Sequence, residues 1–228
     1  NAKFQVSNSN SNTVVWDISD LWEAKSQSGN FSGNIFEFIS PVDSLNEYVA
    51  FDKTAPLFIP VFKEKVQVQN LHLSVSPEMI IITHPLFKKE AEELAEFHRA
   101  EDGLAVIVAT TREIFNEFSS GKQDVTAIKD FVKMFYDRAG SNQDSMPKYL
   151  LLFGDGSYDY KDRISGNTNF IPAYQSSESL SPTGSYVSDD YYGLLDDTDS
   201  ESTSDLIDLG IGRLVVKNIT EAQNAVSK

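Results

Sequence analysis

Residues Met79-Ile80-Ile81-Ile82-Thr83 form a continuous apolar run, polar only at its last position. Such a run offers no solvent side, which is the pattern of a strand buried on both faces of a parallel sheet. Residues 104–109 and 148–153 have the same texture. Helical stripes separate the three runs. Phe87, Ala91, Leu94, Ala95 and His98 recur at three- and four-residue spacing, with Gly103 as the stop. Ile128, Phe131, Val132 and Phe135 make a second stripe, and Asp124 is placed to cap its first turn. Strand, helix, strand, helix, strand in that order predicts a parallel sheet with right-handed crossovers and helices on its faces. Residues 211–216 read as a further strand. Asn218 then caps a last helix from Ile219 to about Ser227, and the stop at Lys228 reads as a cut.

The first 76 residues have a different pattern. Short β-branched or aromatic runs at 14–16, 35–39 and 48–51 are separated by Ser, Asn and Gly turns such as Ser28-Gly29-Asn30. Three or four strands without a helical stripe make a poor domain alone. Residues 1–76 therefore read as a β-rich segment, the end of a preceding β domain, with 66–72 as a connector. Residues 77–228 read as one α/β unit.

Charge and composition narrow the function. The 228 residues carry 19 Lys and Arg against 34 Asp and Glu, a net charge of −15. That balance argues against nucleic acid and anionic membrane surfaces as partners. No apolar run approaches the ~20 residues of a membrane-spanning helix, and residues 1–5 lack the pattern of a signal peptide. Cysteine is absent, which removes disulfides, Cys-ligated zinc and any thiol nucleophile supplied by these residues. His72, His84 and His98 show no metal-binding spacing, and Ser157 sits in no GxSxG elbow.

Two constellations remain. Gly154-Asp155-Gly156-Ser157-Tyr158-Asp159 follows a buried strand, where open α/β sheets place their sites. This GDGxxD turn is similar to the magnesium motif of haloacid-dehalogenase phosphatases. Those enzymes need a DxDx[TV] nucleophile on an earlier strand, and none is present. The plainer reading is a tight turn whose Asp bonds its own backbone. The second constellation is acidic. Between Arg163 and Arg213 there are nine Asp and Glu and no Lys or Arg. Asp197, Asp199, Glu201, Thr203, Asp205 and Asp208 fall at positions 1, 3, 5, 7, 9 and 12 of a calcium-loop spacing. Ser202 replaces the required glycine and strand-like segments flank the loop, so it is no EF-hand. Crowded carboxylates still favour a hard cation with oxygen ligands, and a solvated acidic hairpin loop is the competing reading. His98 reads as a packed residue of its helix. His84 is better placed, after a strand end, but has no nearby partner in sequence.

Taken in order, several motifs carry a resemblance. They are Asn70-Leu71-His72, Met79-Ile80-Ile81-Ile82-Thr83, Glu117-Phe118-Ser119-Ser120-Gly121, Asp124-Val125-Thr126-Ala127-Ile128, the stretch 149–159, Ser188-Asp189-Asp190-Tyr191-Tyr192-Gly193 and Asp208-Leu209-Gly210-Ile211-Gly212-Arg213. Together they resemble the gingipain-type cysteine peptidases, and among these the PorU-type branch, the sortase-like C-terminal signal peptidases of the type IX secretion system. The resemblance implies a caspase-like and gingipain-like α/β sheet flanked by helices, covering only the first of two peptidase subdomains. The catalytic His and Cys would belong to the second subdomain, beyond Lys228, so no catalytic residue is expected here. The parent would be a surface cysteine peptidase of a Gram-negative outer membrane, cleaving proteins that bear C-terminal sorting signals, with hydrolysis and transfer of the cleaved product both open. Its partners would be its own catalytic subdomain, those substrates and other secretion components. The resemblance also implies a calcium site formed by the carboxylates of Asp155, Asp199 and Asp208 and the backbone carbonyls of Asp196 and Leu206. A stand-alone calcium-dependent binding or adhesion module is the rival from another class.

Overall fold

The computed structural model describes residues 1–56, 58–62, 64–177, 180–181, 183–199 and 205–227. The chain divides into two compact units, Asn1–Val66 and Gln67–Lys228.

The first unit is antiparallel. Its strands are β1 (Ala2–Ser7), β2 (Thr13–Asp17), β3 (Lys25–Ser26), β4 (Gly29–Ser32), β5 (Ile35–Ser40) and β6 (Tyr48–Asp52). They form two three-stranded sheets, in the orders β1-β5-β4 and β3-β2-β6. The runs at 14–16, 35–39 and 48–51 become β2, β5 and β6. Strand β1 is as long as β5 and alternates in burial, while β3 and β4 are short and largely polar and are strands only through their cross-strand pairing. Ser28-Gly29-Asn30 is not the turn expected: Gly29 opens β4 opposite Phe38. A Cβ on Gly29 would stand 2.3 Å from the Glu37 carbonyl oxygen, so the close pairing requires glycine. The hairpin bends instead at Gly33, with φ +66. The core is small. Val15, Phe36 and Phe38 are buried, with Phe4, Val6 and Tyr48 packed on them.

The second unit contains β7 (Met79–Thr83), α1 (Lys88–Glu101), β8 (Val106–Thr110), α2 (Thr111–Phe118), α3 (Val125–Ala139), β9 (Tyr149–Phe153), the short pair β10 (Tyr174–Gln175) and β11 (Val187–Ser188), β12 (Gly210–Leu214) and α4 (Ile219–Val226). The main sheet has the order β12-β9-β7-β8, and every pairing in it is parallel. All five residues of β7 are buried, as its unbroken apolar run requires. Ile80, Ile82, Leu150 and Leu152 face Ile114 of α2 and Ile128, Phe131 and Phe135 of α3. Met79, Ile81 and Phe153 face Ala91 and Ala95 of α1 and Ala222 of α4. The sheet is thus covered on both sides.

Asp124 caps α3 as expected, its side chain accepting from the Thr126 amide. Helix α2 is an addition to the expected order. The Thr110 side chain accepts from the Glu113 amide, and Glu113 accepts from the Thr110 amide, a capping box that starts the helix directly at the strand end. Glu117 of α2 then accepts from the Gln69 side chain and the Leu71 amide, and Arg138 of α3 donates to the carbonyls of His72 and Ser74. These bonds tie 69–74 to the α/β unit.

Candidate functional site

Strands β8 and β9 lie on opposite sides of β7, so the connectivity reverses between β7 and β9. The crevice outside the carboxyl ends of such strands is where open α/β sheets bind ligands. His84 follows β7 there, and Gly154 and Asp155 follow β9. Thr83 Oγ1 donates to the Phe153 carbonyl across the junction at 2.9 Å. His84 Nδ1 accepts from the Leu86 amide at 3.2 Å, and its ring lies 5.0 Å from that of Phe170. Burial lowers the pKa of His84, favouring the neutral imidazole. Together with Gln123, Tyr160, Asp162, Asn167, Asn169 and Phe170 it lines a polar cavity of about 220 Å³. The sequence supplies no thiol to this cavity, and among the described residues no carboxylate is hydrogen-bonded to His84. The arrangement can hydrogen-bond, but it has no activated nucleophile.

Asp155 does not bond its own turn. Its carboxylate accepts from the Thr168 hydroxyl and lies 3.8 Å from Lys217 Nζ. Its carbonyl accepts from the amides of Phe170 and Ile171. The Asp therefore anchors the 168–171 loop over the strand end. Arg213 completes the clamp. Its Nε and Nη2 reach both carboxylate oxygens of Asp189 at 2.7 and 2.6 Å, and Nη1 donates to the carbonyls of Gly154 and Ile171 at 3.0 Å each. Sequence reasoning passed over Arg213 as part of a strand. The available signal was its position as the first basic residue after an exclusively acidic stretch.

Asp196, Asp197, Asp199 and Asp208 collect at the opposite end of the sheet. Tyr136, near the end of α3, donates its hydroxyl to Asp196 at 2.8 Å and lies 3.4 Å from an Asp208 oxygen. The bond to Asp196 and burial raise its pKa well above the ordinary tyrosine value. Asp199 accepts from the Asp196 amide, and Asp208 accepts from the Leu195 amide. Lys133 reaches Asp137, Asp197 and the Leu195 carbonyl. Burial works against its charge, and the two carboxylates outweigh burial, so its pKa is raised. These carboxylates take hydrogen bonds from protein donors, and Lys133 sets one positive charge against them.

Of the five residues implied as calcium ligands, the structure brings Asp196 and Asp208 together at the Tyr136 hydroxyl, and Asp199 accepts from the Asp196 amide. Leu206 is 84% exposed beside them. Asp155 is elsewhere. Strands β9 and β12 run parallel in register, with Gly210 opposite Tyr149 and Leu214 opposite Phe153. Asp208 precedes the amino ends and Asp155 follows the carboxyl ends, which separates them by roughly 20 Å at ~3.3 Å per residue. The five do not fit one ion in this arrangement. Among the described residues no group of three or more His, Cys, Asp or Glu is placed to hold a metal. Glu201 and Thr203, two positions of the calcium-loop spacing, lie outside the described residues.

A sequence profile of Peptidase family C25 matches residues 72–228, more than half of the chain. The chain belongs to peptidase family C25. Among solved structures it is similar to dimeric latent PorU from Porphyromonas gingivalis. The identity is 32%, the TM-score is 0.82, and the match covers 98% of this chain and 22% of PorU. It also aligns with the Arg-specific cysteine proteinase gingipain R, at 19% identity and a TM-score of 0.45, over 70% of this chain and 29% of that one. No curated protein matches it. The expected kinship with the gingipain family and the expected α/β architecture are therefore both borne out. The chain spans about a fifth of the PorU chain, and its sequence contains no cysteine.

Proposed function

We propose that this chain is the supporting, non-catalytic part of a cysteine peptidase of the PorU type. The observation that carries the reading is the likeness to PorU over 98% of the chain at 32% identity, in a sequence with no cysteine. In this reading the α/β unit braces the catalytic subdomain of the same parent, which supplies the thiolate and histidine for attack on a peptide carbonyl. The parent works at the surface of a Gram-negative outer membrane, on secreted proteins with C-terminal sorting signals, alongside other type IX secretion components. The clamp of Asp155, Asp189 and Arg213 keeps the crevice edge of the supporting unit rigid.

The test is activity. The purified 228-residue chain is expected to leave fluorogenic peptides intact. The parent is expected to cleave peptides carrying a sorting signal, and iodoacetamide is expected to abolish that cleavage by alkylating a cysteine outside residues 1–228. Cleavage by the 228-residue chain, or a parent indifferent to iodoacetamide, would overturn the reading.

Calcium belongs to this proposal on the strength of the family resemblance alone, with Asp155 set apart from the other four residues. If the acidic loop holds the ion, millimolar calcium raises Tm, and Asp208→Asn removes the rise. A Tm indifferent to calcium and to a chelator would discard calcium while leaving the peptidase reading intact.

A further inference from the structure

The cavity of about 220 Å³ at the carboxyl ends of β7 and β9 is lined by side chains that are held at one end and unengaged at the other. His84 Nδ1 accepts from the Leu86 amide, so the neutral ring carries its proton on Nε2, a donor with no protein partner among the described residues. Asn169 is fixed in the same way. Its Oδ1 accepts from the Ser157 amide, which leaves its NH2 group as a donor. Gln123 and Asn167 are fixed by their NH2 groups, which donate to the carbonyls of Tyr160 and Asp159. Each keeps its side-chain oxygen as an acceptor. The Asp162 carboxylate and the Tyr160 hydroxyl make no hydrogen bond among the described residues. None of these atoms is sealed from solvent: among the described residues, only the Tyr48 hydroxyl is a side-chain polar atom buried without a partner.

These unengaged groups narrow the ligand. No Lys or Arg lines the cavity, and Lys161 lies over the Tyr160 ring at 5.3 Å, so the lining offers no cation to a phosphate or a carboxylate. Asp162 is the one carboxylate of the lining, too few for a metal ion. What remains is a mixed set: donors on His84 and Asn169, acceptors on Gln123, Asn167 and Asp162, and a Tyr160 hydroxyl that can serve as either. A hydroxyl is the neutral group that donates and accepts from a single atom. Several hydroxyls on one small frame can therefore answer the whole set, whereas a single amide offers one oxygen and two N–H groups. The space is smaller than a drug-sized pocket, which runs from about 300 Å³ upward, so it suits a single ring. Tyr160 and Phe170 add aromatic surface for the C–H face of such a ring.

We propose that this cavity binds one neutral sugar ring, whose hydroxyls accept from His84 Nε2 and the Asn169 NH2 group and donate to Gln123, Asn167 and Asp162. The lining comes from three separate segments, the end of β7, the approach to α3 and the loop after β9, and the fold brings them together at the reversal of the sheet. Holding each amide and the imidazole by its other end orders them before the ligand arrives, which lowers the entropic cost of binding. The site binds and does not convert, because it contains no activated nucleophile. The proposal does not rest on the peptidase reading, and binding is measured without any cleavage, so the two fail separately.

The test is saturation-transfer NMR on the 228-residue chain with the methyl glycosides of glucose, galactose, mannose and N-acetylglucosamine as probes. At least one is expected to bind with a Kd of roughly 0.1–10 mM. Glucose 6-phosphate and N-acetylasparaginamide are expected to bind at least about tenfold more weakly than the best glycoside. Asn169→Asp keeps the oxygen that accepts from the Ser157 amide and exchanges the donor for an acceptor. Tyr160→Phe removes only a hydroxyl from a half-exposed ring. Each is expected to weaken the best glycoside by at least about fivefold, the loss of one hydrogen bond. Should Asn169→Asp fail to fold, Tyr160→Phe and His84→Asn carry the comparison. No binding by any glycoside, or binding that the folded variants leave unchanged, would overturn the proposal. So would an amide or phosphate probe that binds as tightly as the best glycoside, which would make a peptide amide or an anion the occupant.

Discussion

Arg213 joins three segments that are distant in sequence: the β9 turn at Gly154, the loop at Ile171 and the acidic stretch at Asp189. Its side chain is 12% exposed and that of Asp189 25%, so solvent screens the pair only weakly. Removing one member leaves a half-buried carboxylate and two carbonyls without their donor. Arg213→Ala is expected to cost roughly 3 kcal/mol in urea unfolding, and Arg213→Lys most of that, because lysine cannot span both carboxylate oxygens and two carbonyls at once. A loss below about 1 kcal/mol in both variants would show that the clamp is incidental. His84 gives a second residue-scale expectation. Burial lowers its folded pKa below the unfolded value of about 6.5. The unfolded chain then binds the more protons, so this contribution is intact above pH 6.5 and is lost as pH falls. Asp162 shares the cavity, and the acidic chain has its own pH response, so the difference between parent and His84→Asn is the informative quantity. The two Tm profiles should converge from pH 7.5 towards pH 5. Parallel profiles would mean that His84 protonates freely in the folded state.

At the scale of elements, legibility followed the source of the signal. Strands β7, β8 and β9 and helices α1 and α3 were readable because burial on both faces, or on one helical stripe, writes itself into local composition. Helix α2 was equally local, since Thr110-x-x-Glu113 is a capping box in plain sequence, but the strand runs straight into it without a turn to draw notice. Thr110 is 3% exposed, and Thr110→Ala is expected to cost about 1–2 kcal/mol. Thr110→Ser should recover most of the loss, because the hydroxyl rather than the methyl carries the cap; an unrecovered loss would point to packing instead. Strands β3 and β4 were not readable, because Lys25-Ser26 and Gly29-Asn30 gain strand geometry only from their partners. The acidic loop illustrates the limit for sites. Its composition was plain, but sequence spacing cannot show that Asp155 and Asp208 stand at opposite ends of one parallel sheet, or that Tyr136 stands between Asp196 and Asp208.

For the whole molecule, the two units differ in how much core each owns. The α/β unit buries Phe87, Phe131, Phe135, Phe153, Tyr192 and the three isoleucines of β7 completely, in two clusters that sandwich a four-stranded sheet. The first unit fully buries Val15, while Phe36 and Phe38 keep 8% and 4% exposure, and Trp22 and Leu45 are almost entirely in solvent. A segment of 66 residues with so small a core sits at the lower limit of independent stability. Residues 67–228 expressed alone are therefore expected to unfold in one cooperative transition, with a Tm within about 5 °C of the main transition of the full chain. Residues 1–66 alone are expected to show no cooperative transition, and amides of β1 and β5 should exchange within seconds. A cooperative 1–66 would make the β segment a domain in its own right. A 67–228 that fails to fold would instead show that the α/β unit depends on the β segment, and its sheet could then not serve as a free-standing brace for a catalytic partner.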